Sequence, residues 1–277
     1  MFNDRLFVVN KPIFCSSNYY LRQIKRKYGI KKAGFSGTLD PFAYGCLIVA
    51  FGKYTKLFQY LDNTPKRYKA TIWLGTVSSS FDIENIEHIN KNPKKLDTSH
   101  IKKELQKLLG DISYTAPKYS AKRIDGKRAY LKARAGELFE PPKINSIIYE
   151  TNFLSYNHPF ISFDITVSEG TYIRSIAQIL LKKIQTKGTL SSLERVNEGK
   201  FYFDREKAIN PLKNLKIKTI KYNGEKLWIQ QGKKIDIKYL CDFSQGLGKI
   251  VFDDFFTIVD IKKDKVEYIL NDIKLHQ

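Results

Sequence analysis

The segment GFSGTLDPFAYG, Gly34 to Gly45, holds a single carboxylate, Asp40, among three glycines. Glycine lets the backbone adopt positive φ and approach another molecule closely, and Pro41 fixes the chain direction just after the aspartate. Such an aspartate has three chemistries open to it: turn former, metal ligand, or nucleophile and general base. No His, Asp or Glu stands near it in sequence to complete a metal site. A nucleophile or base needs a charge partner that keeps it ionised. EGTYIRSIA, Glu169 to Ala177, offers one, because it reads as the end of a strand and the first turn of a helix from which Tyr172 and Arg174 project. An arginine beside an aspartate holds it deprotonated and oriented. KRYKATIWLG adds Tyr68 on a segment whose alternation marks Trp73 and the apolar residues for the core. Spacing alone leaves it open whether Asp40, Tyr68, Tyr172 and Arg174 act on a substrate or serve as turn, core and surface residues.

The elements that must position these side chains follow from hydrophobic period and breakers. Leu6 to Pro12 reads as a short buried strand, and Asn18 to Tyr28 as a helix with Ser16 or Ser17 as N-cap and Gly29 as its stop. The Asp40 segment is a shaped loop, followed by a buried strand at CLIVAFG and a helix over Tyr54 to Leu61. Thr76 to Lys95 reads as a polar, mobile loop, and Ser99 to Leu109 as an amphipathic helix ended by Gly110. Strands follow at Ile144 to Leu154 and Phe160 to Ser168, then a helix over Tyr172 to Lys183. The polar stretch Asn210 to Leu215 reads as a linker. Beyond it, KLWIQ, KKIDI, GKIVFDDFFTIVDI and KVEYIL read as short strands of a small all-β module.

Composition bounds the function. The 277 residues carry 48 Lys plus Arg against 28 Asp plus Glu, a formal net charge of +20. Part of this is a lysine-rich background, but position sharpens it. Lys11 to Lys32 contains seven basic residues and no acid, and Lys118 to Lys143 has eight basic residues against three acids with Tyr119, Tyr130 and Phe139 interleaved. Clustered cations with aromatics suit a nucleic acid, whose phosphates demand charge and whose unpaired bases stack. Neither basic stretch pairs with a strongly apolar helical face, which argues against a membrane surface. Three scattered cysteines without CxxC spacing argue against a disulfide framework or structural zinc and point to a reducing, cytoplasmic compartment. No apolar run is long enough to span a bilayer, and the N-terminus reads as lacking a signal peptide.

Taken in order, NKP at Asn10 to Pro12, GFSGTLDPFAYG, KRYKATIWLG, APKYSAKRIDGKRAY and EGTYIRSIA followed by LERVNEGKF resemble the TruB family, the tRNA pseudouridine synthases that modify uridine 55 in the T loop. The motifs span roughly the first 205 residues, and the tail resembles the family's small PUA-like module. The resemblance implies an α/β (α+β) fold: a catalytic domain on a mixed, largely antiparallel sheet over residues 1–210, with an RNA-binding thumb at 117–140, and a C-terminal all-β module over 220–277. It implies Asp40 as the catalytic aspartate, Tyr68 as the tyrosine that stacks on the flipped base and moves a proton late in the reaction, and Arg174 as the partner of the aspartate. Tyr172 would line the uridine pocket, Leu193 would pack on the base, and Lys11 would stand near the pocket in a mainly structural role. Lys122, Arg123, Lys127 and Arg128 fall on the thumb as RNA-binding residues.

Isomerising uridine breaks the N1–C1′ bond and forms C5–C1′ with no redox change and no group added, so no cofactor and no metal are expected. This accords with the lack of GxGxxG, GxxxxGK[ST] or metal-spaced His and Cys motifs. The expected partner is the tRNA T-stem-loop, and the expected state a monomer. Three positions depart from the family pattern: Phe35 where a histidine beside the target nucleotide is usual, Tyr44 for Thr, and Phe14 for Gly. Phe35 would stack in or wedge the RNA loop, altering binding more than chemistry. These departures also support a rival reading, a non-catalytic RNA-binding protein or tRNA-folding chaperone on the same scaffold.

Overall fold

The structure, a computed structural model, describes residues 4–120 and 122–275. A large mixed sheet organises it. Its strands are β1 (Arg5–Lys11), β2 (Ala33–Ser36), β3 (Tyr44–Phe51), β4 (Lys66–Leu74), β5 (Gly110–Thr115), β6 (Lys143–Asn157), β7 (Phe160–Val167), β8 (Gly188–Glu198) and β9 (Phe201–Tyr202), in the spatial order β1-β3-β8-β4-β7-β6-β5 with β2 also on β3 and β9 on β8. All of these pairings are antiparallel except β8 on β3, where Glu194 lies opposite Tyr44 and Arg195 opposite Gly45. The longer helices are α1 (Ser17–Lys27), α2 (Thr98–Gln106) and α3 (Ile173–Lys183). Ser16 caps α1 by accepting a hydrogen bond from the Tyr19 amide, and Gly29 follows at φ 64°.

The core on one face gathers Leu39, Phe42, Ile72, Ile101, Leu105, Phe163, Ile165, Ile176, Leu180 and Leu190, which packs α2 and α3 against the sheet. In β4 the strict alternation buries Lys66, Tyr68, Ala70, Ile72 and Leu74 together. Trp73, expected in the core, therefore points the other way, half-buried against Phe160 with ring centroids 5.9 Å apart. A second cluster joins Leu6, Val8, Ile48 and Leu57 to Phe256, Ile258, Leu270 and Ile273 of the C-terminal segment. There, strands 246–251, 255–261 and 266–274 form an antiparallel sheet edged by Lys218–Thr219.

Several elements differ from the sequence reading. KLWIQ is a short helix, Lys226–Gln230, that buries Ile229, and KKIDI ends in a 3-10 turn. The helix expected over Tyr54 to Leu61 is a 3-10 helix, Gly52–Tyr60. Ala33–Ser36 of the expected loop is a strand, because its backbone pairs with Ile48–Phe51. The expected linker at 210–215 packs, with Pro211 and Leu215 buried. Thr76 to Lys95 is not a simple mobile loop: Thr76–Ser78 pairs with Ile86–Ile89, and the turn between them buries Ser80 and Asp82. Strand β8 was not recognised as a strand at all, yet it lies at the middle of the sheet.

Candidate active site

Asp40 stands between buried neighbours. Leu39 is 3% exposed and Phe42 fully buried, and burying two such side chains is worth about 1.5–3 kcal/mol each. They pin the loop while leaving the Asp40 carboxylate about one-third exposed. The Ser17 hydroxyl, at the start of α1, exchanges hydrogen bonds of 3.0 Å with both the carbonyl and the amide of Leu39, and the Ala43 amide closes the turn on the Asp40 carbonyl at 3.1 Å.

Two of the loop's glycines accommodate the protein itself. A Cβ on Gly45, at φ 103°, would meet the Arg195 carbonyl at 2.4 Å, where β3 and β8 touch. A Cβ on Gly37, at φ 63°, would lie 3.0 Å from the Lys66 Nζ and 3.2 Å from both the Arg195 Nη1 and the Glu198 Oε2.

Arg174, on the first turn of α3 and 3% exposed, reaches three segments at once. Its Nε sits 2.9 Å from Asp40 Oδ2, and its Nη1 sits 3.1 Å from Asp82 Oδ2 and donates to the Ser80 carbonyl at 2.8 Å. Its Nη2 donates to the Tyr119 carbonyl at 2.7 Å, at the base of the expected thumb. Asp82, 1% exposed, also accepts from the Ser80 hydroxyl at 2.5 Å and the Glu84 amide at 3.0 Å. Burial raises the Asp82 pKa above the ordinary carboxylate value, against the pull of Arg174. The sequence reading missed Asp82. The available signal was a lone Ser-Phe-Asp turn between alternating segments, which looks like any solvent loop until Arg174 is placed on it.

A cavity of about 340 Å³ opens beside this pair. Asp40, Tyr68, Tyr172, Arg174, Leu193 and Lys122 all line it. Tyr68 and Leu193 come from the neighbouring strands β4 and β8, where Arg195 lies directly opposite Tyr68. Tyr172 caps α3 by position, its amide donating to the Tyr114 hydroxyl at 2.8 Å, and burial raises the pKa of its phenol.

The other expected residues lie elsewhere. Lys11 is fully buried under the loop, and its ammonium donates to the carbonyls of Pro12, Cys15 and Pro41. Burial lowers its pKa to about 8. Phe35 is not among the cavity-lining residues: strand alternation turns it partly into the apolar cluster of Phe7, Val49 and Phe51 behind α1. Phe14 sits at φ 56°, the left-handed region that glycine enters freely, and remains 68% exposed. Arg123 pairs with Arg128 and Ile124 with Lys127 in a small exposed hairpin, so Lys122 reaches the cavity while Arg123, Lys127 and Arg128 stand outside it. Ala121, within the expected thumb, lies outside the described residues.

Residues 25–173 match TruB family pseudouridylate synthase (N terminal domain). This chain belongs to the TruB family of pseudouridylate synthases. It is 48% identical to the tRNA pseudouridine synthase B of Sulfurovum sp. (strain NBC37-1), over 98% of this chain and 97% of the relative. It is 49% identical to the protein of that name from Campylobacter concisus (strain 13826), over 98% and 99%. Among solved structures, a Cbf5-Nop10-Gar1 complex aligns over 97% of this chain and 84% of the matched chain, with a TM-score of 0.70 at 17% identity, a likeness of fold. Among the described residues, no cluster of His, Cys, Asp and Glu is placed to hold a metal ion, and no helix is long and apolar enough to cross a membrane.

Proposed function

We propose that this TruB-family protein isomerises uridine 55 in the T loop of tRNA to pseudouridine, with Asp40 as the reacting carboxylate. The single observation that carries this reading is the 2.9 Å contact between Asp40 and a buried Arg174 at the mouth of the cavity. The arginine aims the Asp40 carboxylate while leaving it about one-third exposed to a ligand. A base inside a folded RNA loop must leave its stack to reach that carboxylate, which costs a few kcal/mol and is met by stacking and phosphate contacts. Tyr68 and Leu193 would sandwich the flipped uracil, Tyr172 would border it, and Lys122, Arg123, Lys127 and Arg128 would grip the RNA backbone from a thumb at 117–140. Lys11 would act from beneath the loop, fixing its carbonyls, and Phe35 by packing rather than by touching the nucleotide. In this reading residues 1–210 are the catalytic unit and 220–277 an appended PUA-like module, and the protein works as a cytoplasmic monomer. Isomerisation moves no electrons to or from the substrate and adds no group, so the reaction calls for neither a redox cofactor nor a donor.

The test is a T-stem-loop RNA incubated with the pure protein alone and digested for pseudouridine. Product is expected from the wild type and none from Asp40→Asn, with RNA affinity retained. Tight, salt-dependent binding without product from the wild type would favour the non-catalytic reading, and substantial turnover by Asp40→Asn would remove the aspartate from the chemistry.

A further inference from the structure

The cavity has a second ionic group besides the Asp40–Arg174 pair. Lys66 and Tyr68 share the buried face of β4, and Glu198 and Arg195 lie directly opposite them on β8. A register shift between Arg195 and Asn197 returns Glu198 to the same face as Arg195, the usual effect of a bulge. The Glu198 carboxylate is fully buried, with the Lys66 Nζ 2.9 Å from one oxygen and the Arg195 Nη2 2.9 Å from the other. Arg195 is anchored further, donating to the Cys46 carbonyl at 2.8 Å and the Gly37 carbonyl at 2.9 Å, and it faces the Tyr68 hydroxyl. Lys66 has no comparable set of carbonyls, and it lines the cavity. Its Nζ pairs with Glu198 at 2.9 Å, and because an ammonium carries three N–H donors, donors remain for a ligand atom. Glu169 approaches it only to 3.8 Å from a two-thirds exposed position, where water weakens the attraction.

The two ionic groups therefore differ in sign. In one, a single arginine, Arg174, is shared by two carboxylates, Asp40 and Asp82, while Lys11 and Glu84 behind it add one charge of each kind. In the other, a single carboxylate, Glu198, is shared by two cations, Lys66 and Arg195. A buried ion pair with a surplus cation is costly to assemble, and it suits a site where negative charge appears transiently.

Resting on the function proposed above, we propose that Lys66 is a catalytic residue that stabilises the negative charge uracil acquires as it leaves the ribose. When the N1–C1′ bond breaks, its electron pair departs on the base and spreads over N1 and the two carbonyl oxygens, while the Asp40 carboxylate serves the ribose side. After the base rotates, the pair returns from C5 to form C5–C1′, the C5 proton is lost and N1 takes one up, so the reaction closes as an isomerisation. The detached base carries its full charge only between these steps, and an ammonium held by Glu198 in the lining of the same cavity is preorganised for it.

The experiment uses the full-length protein under single turnover on two T-stem-loop RNAs, one with uridine and one with 5-fluorouridine at the target position. Substrate loss is followed for the fluorinated RNA, because fluorine cannot leave C5 as a proton. Fluorine itself stabilises the uracil anion. Lys66→Met should slow the uridine reaction about 100-fold, the scale of one oxyanion donor, and the fluorouridine reaction about tenfold or less, with RNA affinity within about threefold of wild type. Lys66→Arg should recover part of the uridine rate. Equal slowing on both RNAs, a rate near wild type, or a loss explained by weaker RNA binding would overturn the proposal. Should Lys66→Met not fold, the double change Lys66→Met with Glu198→Gln removes both buried charges together and is read by the same outcomes. A wild type that makes no pseudouridine would instead refute the functional reading, independently of Lys66.

Discussion

Asp82→Asn isolates what the second carboxylate does for Arg174. In the native site Arg174 bridges Asp40 and Asp82, with Nη1 3.1 Å from Asp82 and anchored also on the Ser80 and Tyr119 carbonyls. Asparagine keeps the volume and one acceptor oxygen, so the carbonyl anchors hold and the segment stays folded. What goes is the charge of a 1% exposed partner. A hydrogen bond to a charged group is worth about 1.5–3 kcal/mol. If that energy serves to aim Arg174 at Asp40, the isomerisation slows by about 10- to 100-fold, at about 1.4 kcal/mol per decade. Asp82→Ala should cost more, because it strips an acceptor from three groups at once and leaves a buried cation short of a partner, a loss of about 3–5 kcal/mol in stability. The assay is single-turnover release of the C5 hydrogen from tritiated uridine in a T-stem-loop, with RNA affinity and melting temperature measured alongside. Affinity should hold, since Asp82 has no surface to offer RNA. A wild-type rate from Asp82→Asn, with melting within about 2 °C of the parent, would refute the claim that Arg174 needs both carboxylates.

Neutralising Lys122, Arg123, Lys127 and Arg128 together should weaken RNA binding and lower the slope of log affinity against log salt by about 3, four charges at roughly 0.7 each; an unchanged slope removes the segment from the interface. Gly45→Ala should destabilise the protein severely, because its Cβ would lie 2.4 Å from the Arg195 carbonyl at a φ of 103°, and thermal melting would register this as a large fall; a native-like transition would show that β3 and β8 part easily. Lys11 has a pKa lowered by burial to about 8 from 10.5. Between those values the unfolded chain holds a proton that the folded chain has released, so this group makes stability rise with pH across that window. Denaturant titrations from pH 8 to 10.5 should show that rise in the wild type and not in Lys11→Met.

How far the site was legible depended on whether a residue's role is local. Asp40 announced itself through its own glycines and proline, and Arg174 through its place at a strand-to-helix junction. Strand β1 could be read from its continuous apolar run, buried on both faces, and helices α1, α2 and α3 from period and caps. Asp82 could not be read, because its environment is made by Arg174, which lies 92 residues away in sequence. Strand β8 was hidden for a related reason. Thr189, Ser191, Ser192, Arg195 and Glu198 break its apolar alternation, and two register shifts spoil its period of two. Arg195 and Glu198 are accommodated inside the sheet by each other, by Lys66 and by the Gly37 and Cys46 carbonyls. Phe35 stands on a strand, Ala33–Ser36, so the pairing with Ile48–Phe51 decides which way its side chain points.

The insertion of β8 between β3 and β4 has a consequence for biosynthesis. The chain makes β3 and β4 early, yet they are not neighbours in the finished sheet, and the strand that separates them comes more than a hundred residues after β4. Until Gly188–Glu198 has emerged from the ribosome, the cavity lacks Leu193, Arg195 and Glu198, Gly45 has nothing to touch, and Lys66 has lost its buried counter-ion. The basic stretches at 11–32 and 118–143 are already out by then. A nascent chain of this protein thus displays its basic stretches well before it acquires a place to do chemistry, and Gly188–Glu198 is the strand that completes the cavity.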